Sequence, residues 1–224
     1  MRNRLSLLGR GRRVLLRRSS LPILMAGLLL PVATASTAAA STLTLSSLSS
    51  DSTPASLLDA TLVFMITGAS ELTLSVTNDT VAPNAYFMNG VWFNAAAHVT
   101  GLSLVSATHS DAGDVTAAWD PVETGSQVDG FGNFAYGLTD SVGLNNPNMI
   151  GPGETVDFIL AISGTGPYDM ADFVFSNDQG LSAAGKFVSG PGDDSAFGAV
   201  PEPGTAALVG SGLLGLVLAG RRRR

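Results

Sequence analysis

Few side chains in this sequence are of the types that catalyse reactions or bind metal ions. The 224 residues include no cysteine and only two histidines, His98 and His109. The absence of cysteine excludes a disulfide framework, a thiolate metal site and a cysteine nucleophile. A zinc site needs more ligands than two histidines supply, so we expect both at the surface or rim of the domain.

Motifs for nucleophilic and phosphate chemistry are also missing from the sequence. Residues 68–72 (GASEL) lack the final glycine of a nucleophile elbow, and residues 130–135 (GFGNFA) lack the third glycine of a dinucleotide-binding loop. A pair of carboxylates can cleave a glycoside, but Glu71, Glu123 and Glu154 stand in no motif. We therefore predict a protein without enzymatic activity.

Acidic residues in glycine-rich turns are better candidates for a site, because hard oxygen ligands on loops suit calcium. Asp111 and Asp114 share one such turn, and Asp193 and Asp194 share another. No EF-hand loop or calcium-binding repeat accompanies them. The alternative, solvated acidic turns that keep a secreted protein soluble, therefore stays open. Calcium is the one candidate cofactor, and no other cofactor is predicted.

Aromatic residues cluster between Tyr86 and Tyr136. Their alternation with small residues predicts core packing for most of them. Trp119 precedes Asp120-Pro121 and is expected on an exposed loop, where an indole can stack on a sugar ring. A carbohydrate- or calcium-binding adhesive module is thus one interpretation of the domain. Nucleic acid is not predicted as a partner, because an acidic domain repels phosphates.

The elements that must position these residues show a period of two. Apolar residues alternate with others over 62–66, 72–76 and 156–162, and shorter runs occur at 102–104, at 173–175 and around Phe187. Such alternation is typical of half-buried strands, and glycine- and proline-rich turns separate the runs. We predict an all-β domain over 57–199, folded as an antiparallel β-sandwich of immunoglobulin-like or jelly-roll type.

A polar segment precedes this domain. Residues 41–56 (STLTLSSLSSDSTPAS) include ten serines and threonines. Such a composition buries little apolar surface, so we predict a solvated lead-in, with an edge strand over 42–48 as the alternative. The Thr-x-Thr pattern at 42–44 stands alone, and no face of repeated threonines is predicted.

The first 40 residues have the three parts of a secretory signal peptide. Seven arginines within residues 2–18 precede an apolar run at 21–30 (LPILMAGLLL), which is too short to span a ~30 Å hydrocarbon core. Small residues follow, with candidate cleavage sites after Ala35 and Ala40. The predicted partners are the export machinery and signal peptidase. A retained N-terminal anchor is the alternative.

The C-terminal end contains a second predicted targeting signal, after the N-terminal signal peptide. Val200, Pro201, Glu202 and Pro203 precede an uncharged apolar segment at 205–220. Four arginines then close the chain, namely Arg221, Arg222, Arg223 and Arg224. We predict a short stop-transfer helix with its arginines on the cytoplasmic side. The prolines prevent the helix from extending upstream and leave an extended strip outside the membrane.

Residues 200–224 resemble the PEP-CTERM sorting signal, with a Pro-Glu-Pro motif, an apolar helix and an arginine cluster in that order. The resemblance implies recognition by an exosortase-like membrane protease in a Gram-negative bacterium with an exopolysaccharide system. It further implies transient anchoring in the inner membrane, cleavage near the motif, and delivery to the cell surface or biofilm matrix. An ordinary single-pass anchor is the alternative. The family of the domain between the two signals is not identified.

Removal of both signals changes the charge of the chain. Residues 41–200 contain seventeen of the eighteen acidic residues and only one basic residue, Lys186. The processed product would therefore carry a charge of about −16, counting ionised side chains only. The arginines lie in the two predicted targeting signals, and the domain between them is strongly acidic.

Overall fold

A computed structural model of the chain describes residues 40–45, 48–50, 53–54, 57–82, 86–143, 146–190 and 194–201. This part of the chain forms two antiparallel sheets, so the prediction of an all-β domain is confirmed. The strands are β1 (Ala40–Thr44), β2 (Leu48–Ser49), β3 (Ala60–Gly68), β4 (Glu71–Asn78), β5 (Phe87–Phe93), β6 (Val99–His109), β7 (Gly113–Asp114), β8 (Glu123–Val128), β9 (Gly132–Thr139), β10 (Thr155–Gly164), β11 (Leu181–Val188) and β12 (Ala196–Pro201). Sheet A has the order β1-β3-β4-β10-β6-β7, and sheet B has the order β2-β12-β11-β5-β9-β8.

The two sheets pack face to face around one apolar core. Phe64 of β3 meets Phe93 of β5 edge to face, with ring centroids 5.3 Å apart. The core side chains of sheet A follow the period-two pattern, because alternate residues of a strand point to the same face. The alternation predicted over 62–66, 72–76 and 156–162 therefore corresponds to β3, β4 and β10.

The strand order matches the immunoglobulin alternative. Lettered A to G along the chain, strands β3, β4, β5, β6, β10, β11 and β12 give the sheet orders A-B-E-D and G-F-C. This is the order of a constant-type immunoglobulin sandwich. The remaining strands extend it: β1 pairs with β3, β7 with β6 and β2 with β12, and the hairpin β8–β9 lies beside β5.

Sheet B also buries apolar side chains on its outer face. The indole of Trp92 lies across two glycines, Gly90 and Gly137, and a Cβ on Gly90 would come within 2.5 Å of the ring. Trp92 packs against Phe197 with ring centroids 5.7 Å apart. A second apolar cluster forms there, which explains why β11 is buried along almost its whole length.

The solvated lead-in predicted for residues 41–56 is wrong for residues 41–45 and 48–50. The first of these two ranges enters sheet A as the edge strand β1, and the second enters sheet B as β2. The alternative of an edge strand over 42–48 is confirmed for residues 42–44. Leu43 and Leu45 are buried at 3% and 0% exposure. The Ser/Thr content misleads because leucines at alternate positions suffice to bury one face of a strand once a sheet edge is available.

The predicted strand over 173–175 is also wrong. Residues Met170–Phe173 form a short 3₁₀ helix that begins with a capping box. Asp169 accepts a hydrogen bond from the Ala171 N–H, and Asp172 accepts one from the Asp169 N–H, both at 2.8 Å. These local hydrogen bonds satisfy the backbone groups that a strand would have paired.

A buried asparagine holds the connection between β4 and β5. Asn78 is fully buried, and its amide donates hydrogen bonds of 2.7 Å to the carbonyl oxygens of Tyr86 and Ile150. Its carbonyl oxygen accepts from the N–H and hydroxyl of Thr80. Asn78 thereby fixes the position of Tyr86.

Candidate functional site

The C-terminal sorting motif begins inside a strand of the domain. Val200 and Pro201 are the last two residues of β12, where they lie opposite Ala183 and Leu181 of β11. The extended strip that the sequence predicts before the membrane is therefore paired with the sheet over its first two residues. Glu202 and Pro203 lie outside the described residues.

The lead-in segment pairs with the other edge of β12. Ser49 and Leu48 of β2 lie opposite Gly198 and Ala199. Just beyond them, the Ser50 N–H donates to the Phe197 carbonyl oxygen at 2.9 Å, and the Phe197 N–H donates to the Ser50 hydroxyl at 3.0 Å. The strand that leads into the sorting motif thus has β11 on one side and the lead-in on the other.

One carboxylate, that of Asp194, anchors the residues just before the same strand. The Asp194 carboxylate accepts hydrogen bonds from the Thr53 hydroxyl at 2.5 Å and from the Tyr86 hydroxyl at 3.1 Å. It also accepts one from the Ser195 N–H at 2.9 Å. The Thr53 hydroxyl, above all, lowers the pKa of Asp194, because these donors stabilise the ionised form. We call Thr53, Tyr86 and Asp194 the clamp.

The predicted calcium ligands are engaged by their own turns where the structure describes them. Asp114 accepts from the hydroxyl and the N–H of Thr116, and the hydroxyl above all lowers the pKa of Asp114. Asp111 accepts from the Ser110 hydroxyl. Asp194 belongs to the clamp, and Asp193 lies outside the described residues. Across the described ranges, no three acidic or histidine side chains are grouped as a metal site would require.

The predicted exposure of Trp119 is wrong. Its side chain is only 4% exposed and meets the ring of Phe158 edge to face, with centroids 4.7 Å apart. The preceding residues form a 3₁₀ turn, which directs the indole into the core and not onto a loop. Trp119 forms one wall of a crevice of about 320 Å³ together with Leu102 and Pro121. It therefore offers no exposed stacking platform for a sugar.

The histidines do not both lie at the surface. His109 is 2% exposed, and its Nδ1 accepts hydrogen bonds from the N–H groups of Asp111 and Ala112. Because Nδ1 is an acceptor, Nε2 carries the proton and faces the Met149 carbonyl oxygen at 3.3 Å. His109 therefore organises a turn. His98 lies at the rim as predicted, with Nε2 3.2 Å from the Asp172 carboxylate.

The outer face of sheet A has an unpredicted set of hydroxyl groups. Thr44, Thr61, Thr77 and Thr155 lie in register across four neighbouring strands. We call the outward-facing set the hydroxyl face; it comprises Thr42, Thr44, Thr61, Thr67, Thr73, Ser75, Thr77, Ser103, Ser106, Thr108 and Thr155. Strand register combines four threonines that are far apart in the sequence into one row, whereas the row of Thr42 contains Val63 and Asp157, so no repeated Thr-x-Thr pattern forms.

Several predicted signal residues lie outside the described part of the chain. These are residues 1–39 with Ala35, the apolar segment 205–220, and the cluster Arg221, Arg222, Arg223 and Arg224. Ala40, the other candidate cleavage residue, is the first residue of β1 and lies opposite Met65. Within the described residues, no helix has the length and apolar character to cross a membrane.

Comparison with known proteins identifies one segment. Residues 199–224 match the family described as the PEP-CTERM protein-sorting motif. The match begins one residue before the predicted boundary at Val200 and overlaps the last three residues of β12. The motif implies export, membrane-anchored transit to the surface and processing by exosortase-type machinery. No curated protein and no solved structure matches the chain, so the family of the sandwich is not identified.

Proposed function

We propose that this chain, which carries a PEP-CTERM sorting motif, is a non-enzymatic structural protein of the cell surface or extracellular matrix. The supporting observation is that β12 runs directly into the motif. The sandwich is therefore the domain that the motif directs to the surface. The host is a Gram-negative bacterium that exports an exopolysaccharide. Signal peptidase removes the N-terminal signal, and an exosortase-like protease releases the anchor.

The use of carboxylates within the domain supports a structural role. Asp114, Asp140 and Asp169 each accept an N–H of the residue two positions later in the chain. Such contacts replace main-chain pairing and hold tight turns. The abundant acidic residues therefore stabilise the turns and keep the sandwich soluble. These roles do not involve catalysis.

Fractionation of the native host tests the proposal. The variant with Glu202→Ala and Pro203→Ala alters the motif beyond β12 and leaves the described domain unchanged. We expect the wild-type domain in the surface and matrix fractions, and the variant retained in the inner membrane at its full C-terminal length. Glu123→Ala, on the exposed strand β8, is the matched control and should be sorted normally. Equal surface delivery of motif variant and wild type would contradict the proposal.

A second candidate is a carbohydrate-binding adhesive module, which the hydroxyl face favours. The backbones of neighbouring residues in one row lie about 4.8 Å apart, and alternate residues of a strand lie about 6.8 Å apart. The Thr77 and Thr155 hydroxyls lie 2.8 Å apart, and the Ser75 hydroxyl donates to Asp157 at 2.5 Å. Such a network of donors and acceptors on an open sheet face suits an extended polysaccharide.

Co-sedimentation with the exopolysaccharide of the host tests this candidate. Thr42→Val with Thr108→Val removes two exposed hydroxyls from opposite edges of the hydroxyl face while conserving shape. We expect weaker binding by the double variant, and unchanged binding by Thr124→Val, which removes an exposed hydroxyl from sheet B. Equal binding by the wild type, the double variant and Thr124→Val would show that the hydroxyl face does not bind the polysaccharide.

A further inference from the structure

The edge of sheet A that β6 forms is open over most of its length. β10 pairs with one side of β6 from end to end, whereas β7 pairs with the other side only at Thr108 and His109. Ala107 is closed off by the Val115 N–H, which donates to its carbonyl oxygen at 2.9 Å. In the described part of the chain, no strand pairs with this side of residues 99–106. An open edge presents unpaired N–H and C=O groups that can pair with another chain.

The hydrogen-bonding pattern shows which backbone groups face the open edge. Leu102 lies opposite Ile162, whose N–H donates towards β4, to the Ser70 carbonyl oxygen at 2.9 Å. The N–H and C=O of Leu102 therefore point away from β10, and those of Leu104, two residues later, do the same. Between them, Ser103 directs its exposed side chain to the outer face of the sheet.

This short stretch of β6 is regular and accessible. Register shifts at Thr100 and Val105 flank it and leave residues 101–104 in regular register with β10. The crevice of about 320 Å³ opens beside it, with residues 102–104 on one side and Trp119 and Pro121 on the other. The backbone groups of Leu102 and Leu104 are thus available to an incoming strand.

The absence of charge distinguishes β6 from the other surfaces of the domain. Residues 80–110 contain no Asp, Glu, Lys or Arg, whereas residues 41–200 contain seventeen acidic residues. β8, the edge strand of sheet B, has Glu123 and a glycine at position 125 with a φ of 68°, where its pairing is interrupted. Charged side chains and such irregularities usually protect an edge strand from association. Two copies of this acidic domain can bring their β6 strands together without placing like charges directly opposite each other.

We propose that two copies of the chain pair through their β6 strands about a two-fold axis at Ser103. In this antiparallel register Leu102 of each copy lies opposite Leu104 of the other, and each such pair exchanges two backbone hydrogen bonds. The two Ser103 residues form the central pair, which has no backbone hydrogen bonds of its own and a Cα–Cα distance of about 4.5 Å. The sheets A of both copies join into one sheet, with their outer faces on the same side.

A cysteine at position 103 tests this register, because the sequence contains no cysteine. A Cα–Cα distance of about 4.5 Å is one that a disulfide spans. We expect Ser103→Cys, in the full chain purified in detergent, to form a covalent dimer when a mild oxidant is added. Ser163→Cys, exposed on the neighbouring strand β10, is the matched control and should remain monomeric on a denaturing gel without reductant. No covalent dimer of Ser103→Cys, or equal yields from the two variants, would overturn the inference.

The mass of the full chain in detergent, measured by light scattering, is the second test. We expect a wild-type dimer and its loss in Ser103→Glu, because two carboxylates would then face each other at the axis. Thr124→Glu, on the exposed strand β8, should remain dimeric. Added salt should increase the dimer fraction, since it screens the repulsion between two acidic domains. A wild-type chain that is monomeric at every concentration, or a dimer that persists in Ser103→Glu, would overturn the inference.

Discussion

The Thr53 hydroxyl donates a 2.5 Å hydrogen bond to the carboxylate of Asp194, which follows it by 141 residues. This bond joins the segment that follows the predicted signal peptide to the residues just before β12, the strand that runs into the sorting motif. Because the hydrogen bonds lower the pKa of Asp194, the contact couples the stability of the domain to pH.

The pH dependence of Asp194→Asn is the first prediction. A carboxyl whose folded-state pKa is lowered stabilises the fold above its unfolded pKa of about 4, and this contribution is lost as pH falls through the folded pKa. We expect the variant to unfold at lower urea concentration than wild type at pH 7, and the difference to shrink below about pH 4. Asp129→Asn, in an exposed turn, is the control. A difference that stayed constant down to pH 2.5 would contradict the role of the ionised carboxylate.

Asp59 gives a prediction of the opposite sign. Burial, followed by the charge of Asp79, raises the pKa of Asp59, so its ionised form reduces stability at neutral pH. We expect Asp59→Asn to raise the melting temperature at pH 7. The gain should disappear below about pH 4, where the wild-type carboxyl is protonated in both states. A lower melting temperature at pH 7, measured beside Asp129→Asn, would show that the carboxylate has a stabilising partner.

The glycine beneath Trp92 is expected to tolerate no side chain. A Cβ on Gly137 would overlap Cδ1 and Nε1 of the indole, which the neighbouring strand holds in place. We expect Gly137→Ala to lower the free energy of unfolding by about 1–3 kcal/mol. Gly101→Ala is the matched control, since its Cβ would lie 3.7 Å from Ser163, an ordinary contact. Combining Gly137→Ala with Trp92→Leu should cost less than the sum of the two, and strict additivity would contradict the overlap.

Asn78 is expected to contribute to stability through its buried hydrogen bonds. Asn78→Ala removes donors to two buried carbonyl oxygens and should lower the free energy of unfolding by about 1–3 kcal/mol. Asn78→Asp should cost more at pH 7, because a carboxylate oxygen would then face those carbonyls. Asn133→Ala, on an exposed position of β9, serves as control in the same urea titrations. Equal midpoints for Asn78→Asp and wild type would refute this role.

The sequence predicted the strands that bury only one face. In β3 and β10, Phe64 and Phe158 point to the core while their neighbours face outward, so the alternation is visible. In β11 both faces are buried, the outer one beneath Trp92, and the period of two is lost. The 3₁₀ turn at Thr116–Ala118 directs Trp119 inward, and its local sequence gave no sign of this.

The features of the candidate site also differ in whether the sequence alone could predict them. The sorting motif is contiguous, so its residues were recognisable from order alone. The clamp depends on contacts between Thr53, Tyr86 and Asp194, which no local pattern relates. The hydroxyl face likewise exists only through the register of five strands, which the sequence of any one strand does not determine.

The pairing of β2 with β12 has a consequence for the order of events during synthesis. Phe197 and Ser50, which are 147 residues apart, exchange hydrogen bonds, so the sheet is completed by one of the most distant contacts in the chain. Contacts of such high sequence separation make folding slow, because the loop between them must close first. β2 therefore cannot pair with β12 until that last strand has been synthesised. Before that point sheet B lacks β12, so the sandwich of a partly synthesised chain is incomplete.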